Sequence, residues 1–290
     1  MRPLTGTPAG TPDAAPSADR PDVVVHVSDL HFGRGFQPVA AGRLAAHVAA
    51  IRPDALVVSG DLTMRARASQ FSEAAAYLAA MPPPKVIIPG NHDVPLFDVV
   101  TRALFPQRNF HRFTDPLNTN PVVLRHAGIL GLNTVTRWMH EKGVLRARDV
   151  AGARAWLASL PAPMWRVLVT HQQLFNLPES RRPGTLVRAA ANLRVLAADG
   201  AHAVLHGHVH RAHAVRADEH VAALPHPVAV IAAGTATCAR LRGKGRRVFS
   251  FNVIAFSPDE MRVTRMDWDF DAADFAPAGD TVFTRSAFRA

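Results

Sequence analysis

The run Val86-Ile87-Ile88-Pro89-Gly90-Asn91-His92-Asp93 changes character at its midpoint. Three β-branched residues specify a short strand buried on both faces. Pro89-Gly90 ends it, and an amide, an imidazole and a carboxylate follow in succession. The same unit occurs four more times. Val23 to Val27 runs into Ser28-Asp29-Leu30-His31, and Ala55 to Val58 into Ser59-Gly60-Asp61. Val167 to Val169 meets Thr170-His171, and Ala203 to Leu205 meets His206-Gly207-His208-Val209-His210.

Helical spacing fills the gaps, over Val39 to Ile51, Ala66 to Met81 (ending at Pro82 to Pro84) and Val150 to Leu160, stopped by Pro161. Strands alternating with helices imply parallel βαβ units and an α/β fold. Beyond Gly234 the pattern changes to an antiparallel hairpin, Arg247 to Phe256 and Met261 to Trp268, around Ser257-Pro258-Asp259-Glu260. The domain is therefore expected over residues 23–268. Residues 1–22, with five prolines and no apolar stretch of signal length, read as a flexible leader. Residues 269–290 read as a C-terminal tail that wraps the surface or frays.

Composition narrows the class. A hydrophobic share of 48% with 19% charged residues is globular. No apolar run approaches the roughly 18 residues of a membrane span. The net charge of +10 comes almost wholly from arginine, since Lys85, Lys142 and Lys244 are the only lysines among 33 basic residues. No basic run carries interleaved aromatics, so a nucleic-acid partner is disfavoured and a small anionic substrate is the simpler reading. The near-run Arg240 to Arg247 is broken by two glycines and reads as a solvated loop. Cys238 is the single cysteine, expected to be a small buried residue. Its solitude fits a reducing, cytoplasmic setting.

In open α/β sheets, ligands bind beyond the carboxyl ends of the strands, where all five polar segments fall. Asp29 and His31 are two apart, as are His208 and His210, so in extended chain each pair points one way. With Asp61, Asn91 and His171 they form a mixed oxygen and nitrogen donor set suited to Mn, Fe or Zn rather than Mg or Ca. Seven donors exceed one tetrahedral ion and suit two ions sharing a carboxylate bridge. Such a pair clamps a phosphate and brings a bound water to a pKa near 7.

These blocks, Asp29-Leu30-His31, Gly60-Asp61, Gly90-Asn91-His92-Asp93, His171 and Gly207-His208-Val209-His210, resemble the five signature blocks of the calcineurin-like metallophosphoesterases. Size and loop spacing are most similar to the bacterial class III cyclic-nucleotide phosphodiesterases. The resemblance implies a four-layer αββα sandwich with a centre of two divalent metal ions. One ion would be held by Asp29, His31, Asp61 and His210, the other by Asp61, Asn91, His171 and His208. It further implies hydrolysis of a small phosphodiester, a cyclic nucleotide in first place, by metal-bound hydroxide. Asn91 and His92 would contact the phosphate, and His92 would also protonate the leaving oxygen. Asp93 would orient His92 or tighten its loop.

Other residues carry weaker signals. Arg65 and Arg67, past Asp61, could meet a phosphate or be solvated. His26 reads as a core residue, and His206 as a neighbour of the ligands. His202, His213, His220 and His226 read as surface residues. In residues 94–117, Leu96, Val100 and Leu104 recur at helical spacing, as do Phe110 and Phe113. This segment either packs on the core or forms a lid able to hold a nucleobase or an acyl chain. Its apolar residues and the basic balance keep open a lipid-linked pyrophosphatase of the UDP-diacylglucosamine type, with peripheral membrane contact. A nuclease, a non-catalytic scaffold and a homodimer also stay open.

Overall fold

The computed structural model describes residues 20–82, 84–177, 186–239 and 248–288. Two six-stranded sheets lie face to face. The first is built around β1 (Asp22–Val27), β2 (Ala55–Val58) and β3 (Lys85–Ile87), which run parallel. On the other side of β1 the sheet continues antiparallel through β10 (Ser250–Phe256), β11 (Glu260–Asp269) and β12 (Asp274–Thr284). In the second sheet, β5 (Ala127–Gly131), β6 (Trp165–Val169), β7 (Ala203–His206) and β9 (Ala229–Ala232) are parallel. β4 (Val122–Val123) and β8 (His213–Arg216) close its edges antiparallel.

Alternation along the strands sorts the apolar residues into three layers. Val24, Val57 and Val86 face Ile129, Val167, Leu205 and Ile231 between the sheets. On the outer face of the first sheet, Val25, Leu56 and Ile87 pack on α1 (Pro38–Ile51) and α2 (Ala68–Ala79) through Leu44, Val48, Phe71 and Leu78. Outside the second sheet, Leu168, Val204 and Val230 meet α5 (Ala147–Ser159) and α6 (Ala189–Ala198) through Leu157, Leu193 and Leu196. The strands read as unbroken apolar runs because each is covered on both faces. The fold is thus the expected four-layer αββα sandwich.

The differences from expectation are local. Residues 269–290 do not simply wrap or fray: Asp274–Thr284 is an edge strand on β11. Its solvent-facing positions, Pro277 and Gly279 hide the period-2 signal. Of the leader, residues 1–19 lie outside the described residues, whereas Arg20 pairs with Asp54 and Asp22 opens β1. The near-run at Arg240 to Arg247 also lies outside them. The segment 94–117 splits in two. On α4 (Arg108–Thr114) Phe110 is buried against Phe71, but α3 (Val99–Leu104) buries none of its residues. No helix among the described residues is long and apolar enough to cross a membrane.

His202, expected at the surface, is buried at the far end of the sandwich from the polar loops, edge-on to Trp165. Its Nδ1 accepts the backbone N–H of Arg166 at 3.1 Å, which requires a neutral ring. Burial, with the Arg285 and Arg166 guanidinium groups nearby, holds its pKa down at about 3. An unfolded histidine titrates near 6.5, so the unfolded chain binds the extra proton and stability falls as pH drops below that value. The slope is about 1.4 kcal/mol per pH unit. Between pH 7 and 5, His202 should cost about 2 kcal/mol. In urea unfolding, His202→Asn should lower stability at pH 7 and lose less than the parent on acidification. An equal acid-linked loss in both would refute this account of His202.

Candidate metal centre

The polar loops leave both sheets at the same edge, and backbone ladders continue beyond the strands. Asp29 N–H donates to Gly60 O at 3.0 Å, His31 N–H to Asp61 O at 2.9 Å and Phe32 N–H to Leu62 O at 2.8 Å. Thr235 and Thr237 hydroxyls donate to the carbonyls of Asp29 and Leu30, both at 2.7 Å. The loops after β1 and β2 are thereby held as one unit.

The extended geometry expected for the paired ligands is not what forms. Asp29, His31, Asp61, His208 and His210 all have positive φ, between 51° and 69°. Left-handed backbone at non-glycine residues is costly and concentrates at functional sites. It turns each side chain inward where an extended strand end would send it along the sheet.

Asp29, His31, Asp61 and His210 are all buried, and one ligating atom from each lies within 4.8 Å of all the others. His31 Nε2 is 3.0 Å from His210 Nε2 and 3.6 Å from Asp61 Oδ2. Asp29 Oδ1 is 3.0 Å from His210 Nε2, yet it is buried without a hydrogen bond. Two imidazole nitrogens and two carboxylate oxygens facing one point suit a shared cation better than any arrangement of protons. The donor set therefore fits a divalent ion.

A second group adjoins it. Asn91 Oδ1 lies 3.0 Å from His171 Nε2 and 2.9 Å from His208 Nδ1, and Asp61 Oδ1 is 3.4 Å from His171 Nε2. Asp61 thus turns one oxygen to each group. His171 Nδ1 donates to Ser59 O at 2.8 Å, which turns Nε2 toward the site. Burial pushes His208 down to about 3, so its ring is neutral and able to ligate. Burial would raise Asp29 and Asp61, but His210 beside the first and His171 beside the second hold both well below the usual carboxylate range. All seven expected donors therefore sit together at one end of the sandwich.

His92 lies over this cluster with its ring 4.9 Å from that of His31. Its Nδ1 donates to Met64 O at 3.0 Å, and its backbone N–H donates to Asp61 Oδ1 at 2.8 Å. Asp93 makes loop contacts instead: it accepts backbone N–H groups from Leu62, Thr63 and Gly90. Of the two roles weighed for it, tightening the loop is the one observed. His26 is buried against Ser59 as expected, at 2.9 Å. His206 is buried, its Nδ1 donating to Gly207 O at 3.0 Å and its ring 5.2 Å from His213. Arg65 is exposed on the rim, with its guanidinium 5.4 Å from the Phe97 ring centroid. His140 was not anticipated. Its ring is 5.2 Å from that of His92, and no flanking motif points to it.

A family model described as calcineurin-like phosphoesterase matches residues 23–212. The chain belongs to this family. A curated relative of this phosphoesterase is the glycerophosphodiester phosphodiesterase GpdQ of Enterobacter lignolyticus (strain SCF1), 31% identical over 163 residues. That match covers 52% of the chain and 57% of GpdQ, so it takes in little more than half of either. Among solved structures, purple acid phosphatase PPD1 from yellow lupin (Lupinus luteus) shares the fold with a TM-score of 0.64 at 12% identity. The match covers 92% of this chain and 54% of that one. PhoD also superposes with a TM-score of 0.64 at 13% identity, over 93% and 70%.

Gly90 tests the tightness of the phosphoesterase site. A Cβ there would collide with Asp61 Oδ1 and the Asp61 backbone nitrogen. Gly90→Ala should cost about 1–3 kcal/mol, as overpacking does, and lower the bound metal measured by elemental analysis. Full metal content at unchanged stability would show that the loops yield.

Proposed function

We propose that this phosphoesterase is a dinuclear-metal phosphodiesterase acting on a small phosphodiester, with cyclic nucleotides as the favoured class. The reading rests on Asp61, whose two carboxylate oxygens face two different donor groups across a buried site. Asp29, His31, Asp61 and His210 would hold one divalent ion, and Asp61, Asn91, His171 and His208 the other, with Mn, Fe or Zn as candidates. Such ions, when bound, supply Lewis acidity and lower the pKa of water from about 15.7 to near 7. Ser59 and Asn91 orient the imidazoles, and Asp93 braces the loop that carries Asn91 and His92. His92 is placed to meet the phosphate and to give a proton to the leaving oxygen. GpdQ is named for a small phosphodiester, which agrees with a diester substrate. The lone buried cysteine fits a cytoplasmic setting.

A second reading, the lipid-linked pyrophosphatase, has one observation in its favour. Phe97, Val99, Val100, Leu104, Phe105 and Trp138 are exposed, as a surface that meets an acyl chain or a membrane would be. Turnover that rises steeply with anionic liposomes would support this reading over the first, and indifference to lipid would refute it.

Purified protein loaded with Mn²⁺ should hydrolyse bis-p-nitrophenyl phosphate; no turnover and no metal by elemental analysis would defeat the proposal. Asp61→Ala should lose both ions. His92→Ala should keep them and slow turnover about 10²–10⁴-fold, the usual worth of a general acid. Loss of metal in that variant would show that His92 supports the ligands instead.

A further inference from the structure

A second polar feature lies beside the metal centre and is not used by the chemistry above. A cleft of about 560 Å³ is lined by Arg34, Gly35, Met64, Arg65, Arg67 and Gln70. Its position follows from the loop ladders. Arg34 follows His31 on the loop after β1, and Arg65 and Arg67 follow Asp61 on the loop after β2. Met64 N–H donates to Phe32 O at 2.9 Å, which ties the two loops under the cleft, and the Met64 carbonyl is the one that holds His92 Nδ1. A group in the cleft therefore sits one residue beyond the support of His92.

Positive charge gathers at the mouth of the cleft, where Arg34, Arg65 and Arg67 are all exposed. Among the described residues, none of its three arginines has an ion-pair partner; Arg65 instead lies over Phe97. Gln70 is only 9% exposed. Its Oε1 accepts the backbone N–H of Arg65 at 2.9 Å, while among the described residues its Nε2 has no partner and remains a donor. Gly33, with φ +124°, gives that nitrogen room, since a Cβ there would collide with it. The 12-residue helix α2 starts at the cleft, with Arg67 as an N-cap that makes no side-chain cap and no acid in its first turn. Its positive end adds to the arginines. Three like charges gathered at one mouth beside an amide donor favour an anion there.

We infer that this cleft is a subsite for a second phosphate group, so that a phosphodiester carrying a terminal phosphomonoester beside the scissile bond binds more tightly than the same diester without it. The inference rests on the phosphodiesterase reading for its substrate class. The cleft itself rests only on Arg34, Arg65, Arg67 and Gln70. Guanidinium forks suit a dianionic phosphate, and the amide of Gln70 adds a neutral donor that fixes its position.

Two probe pairs test it on the Mn²⁺-loaded protein. Thymidine 5′-(p-nitrophenyl phosphate) and its 3′-phosphorylated counterpart read turnover. Thymidine 5′-monophosphate and thymidine 3′,5′-bisphosphate read binding by calorimetry. The 3′-phosphate should lower KM and Kd by about tenfold, the worth of one charge-assisted contact. The double variant Arg34→Gln/Arg67→Gln should lose that preference while kcat on the singly charged ester changes less than twofold. Inorganic phosphate that erases the preference in the parent would support the same subsite with the free ion as an occupant. Equal affinity for both nucleotides in the parent, or a preference that survives in the double variant, would overturn the subsite. If neither ester is turned over while the binding preference holds, the hydrolytic reading fails and the subsite stands.

Discussion

Five donor residues, four of them buried, are held in left-handed backbone, and the rest of the site depends on that constraint. Each such conformation costs an L-residue about 1–2 kcal/mol, and a folded domain has only about 5–15 kcal/mol of net stability. Local torsional preference cannot hold these turns. The ladder between the loops after β1 and β2 does, together with the hydroxyls of Thr235 and Thr237 and the carboxylate of Asp93, which gathers three backbone N–H groups. The strain is a consequence of bringing side chains from five strand ends to one place.

The same site joins the two sheets. His171 from the second sheet donates to Ser59 O on the first, and the His208 N–H donates to Asp29 Oδ2 at 2.9 Å. Asn91 on the first sheet meets both His171 and His208. Between the ends the sheets meet through apolar residues such as Val57 and Val167, and at the opposite end Trp165 Nε1–H donates to Ser257 O at 2.7 Å and His126 N–H to Asp22 Oδ2. The sandwich is therefore closed by packing through most of its depth, with the densest set of directional polar contacts at the rim that carries the donors. Gly207 shows how little slack remains, since a Cβ there would collide with the Ser28 hydroxyl and crowd Asp29 Oδ2. Any change in the separation of the sheets would move His171 and His208 relative to Asp61. Rigidity of the apolar layer is in this sense part of the ligand geometry.

Much of this was legible in the sequence, for a physical reason: a strand buried on both faces must be apolar throughout, so its end is marked by the first polar residue. That rule marked the seven expected donor positions, and helical spacing gave α1, α2 and α5 but not α6. The orientation of Asp29, His31, His208 and His210 was misread because a period of two assumes extended backbone, which these residues leave. His202 was placed at the surface because its burial depends on Trp165 and Arg285, both remote in sequence. β12 escaped notice as an edge strand with most of its residues in solvent. Val100 and Phe110 each sit at helical spacing with their own neighbours, yet Phe110 is buried and Val100 exposed. Periodicity reports an apolar face but not what covers it.

Fold and donor set do not by themselves choose a substrate. A plant purple acid phosphatase shares this architecture at 12% identity, so selectivity has to reside in what surrounds the metal centre. Here the surroundings have two contrasting sides. One is the arginine-lined cleft between the loops after β1 and β2; the other is the uncovered apolar face of α3 with Phe97. Arg65 belongs to both, because it lines the cleft and also lies over the Phe97 ring. An anion drawn to Arg65 would compete with the ring for its guanidinium, and an apolar group stacked on Phe97 would change the position of that charge. If both sides bind substrate as proposed, recognition on them would be coupled through one side chain, and a ligand with phosphate and apolar parts would meet a rim that responds to both.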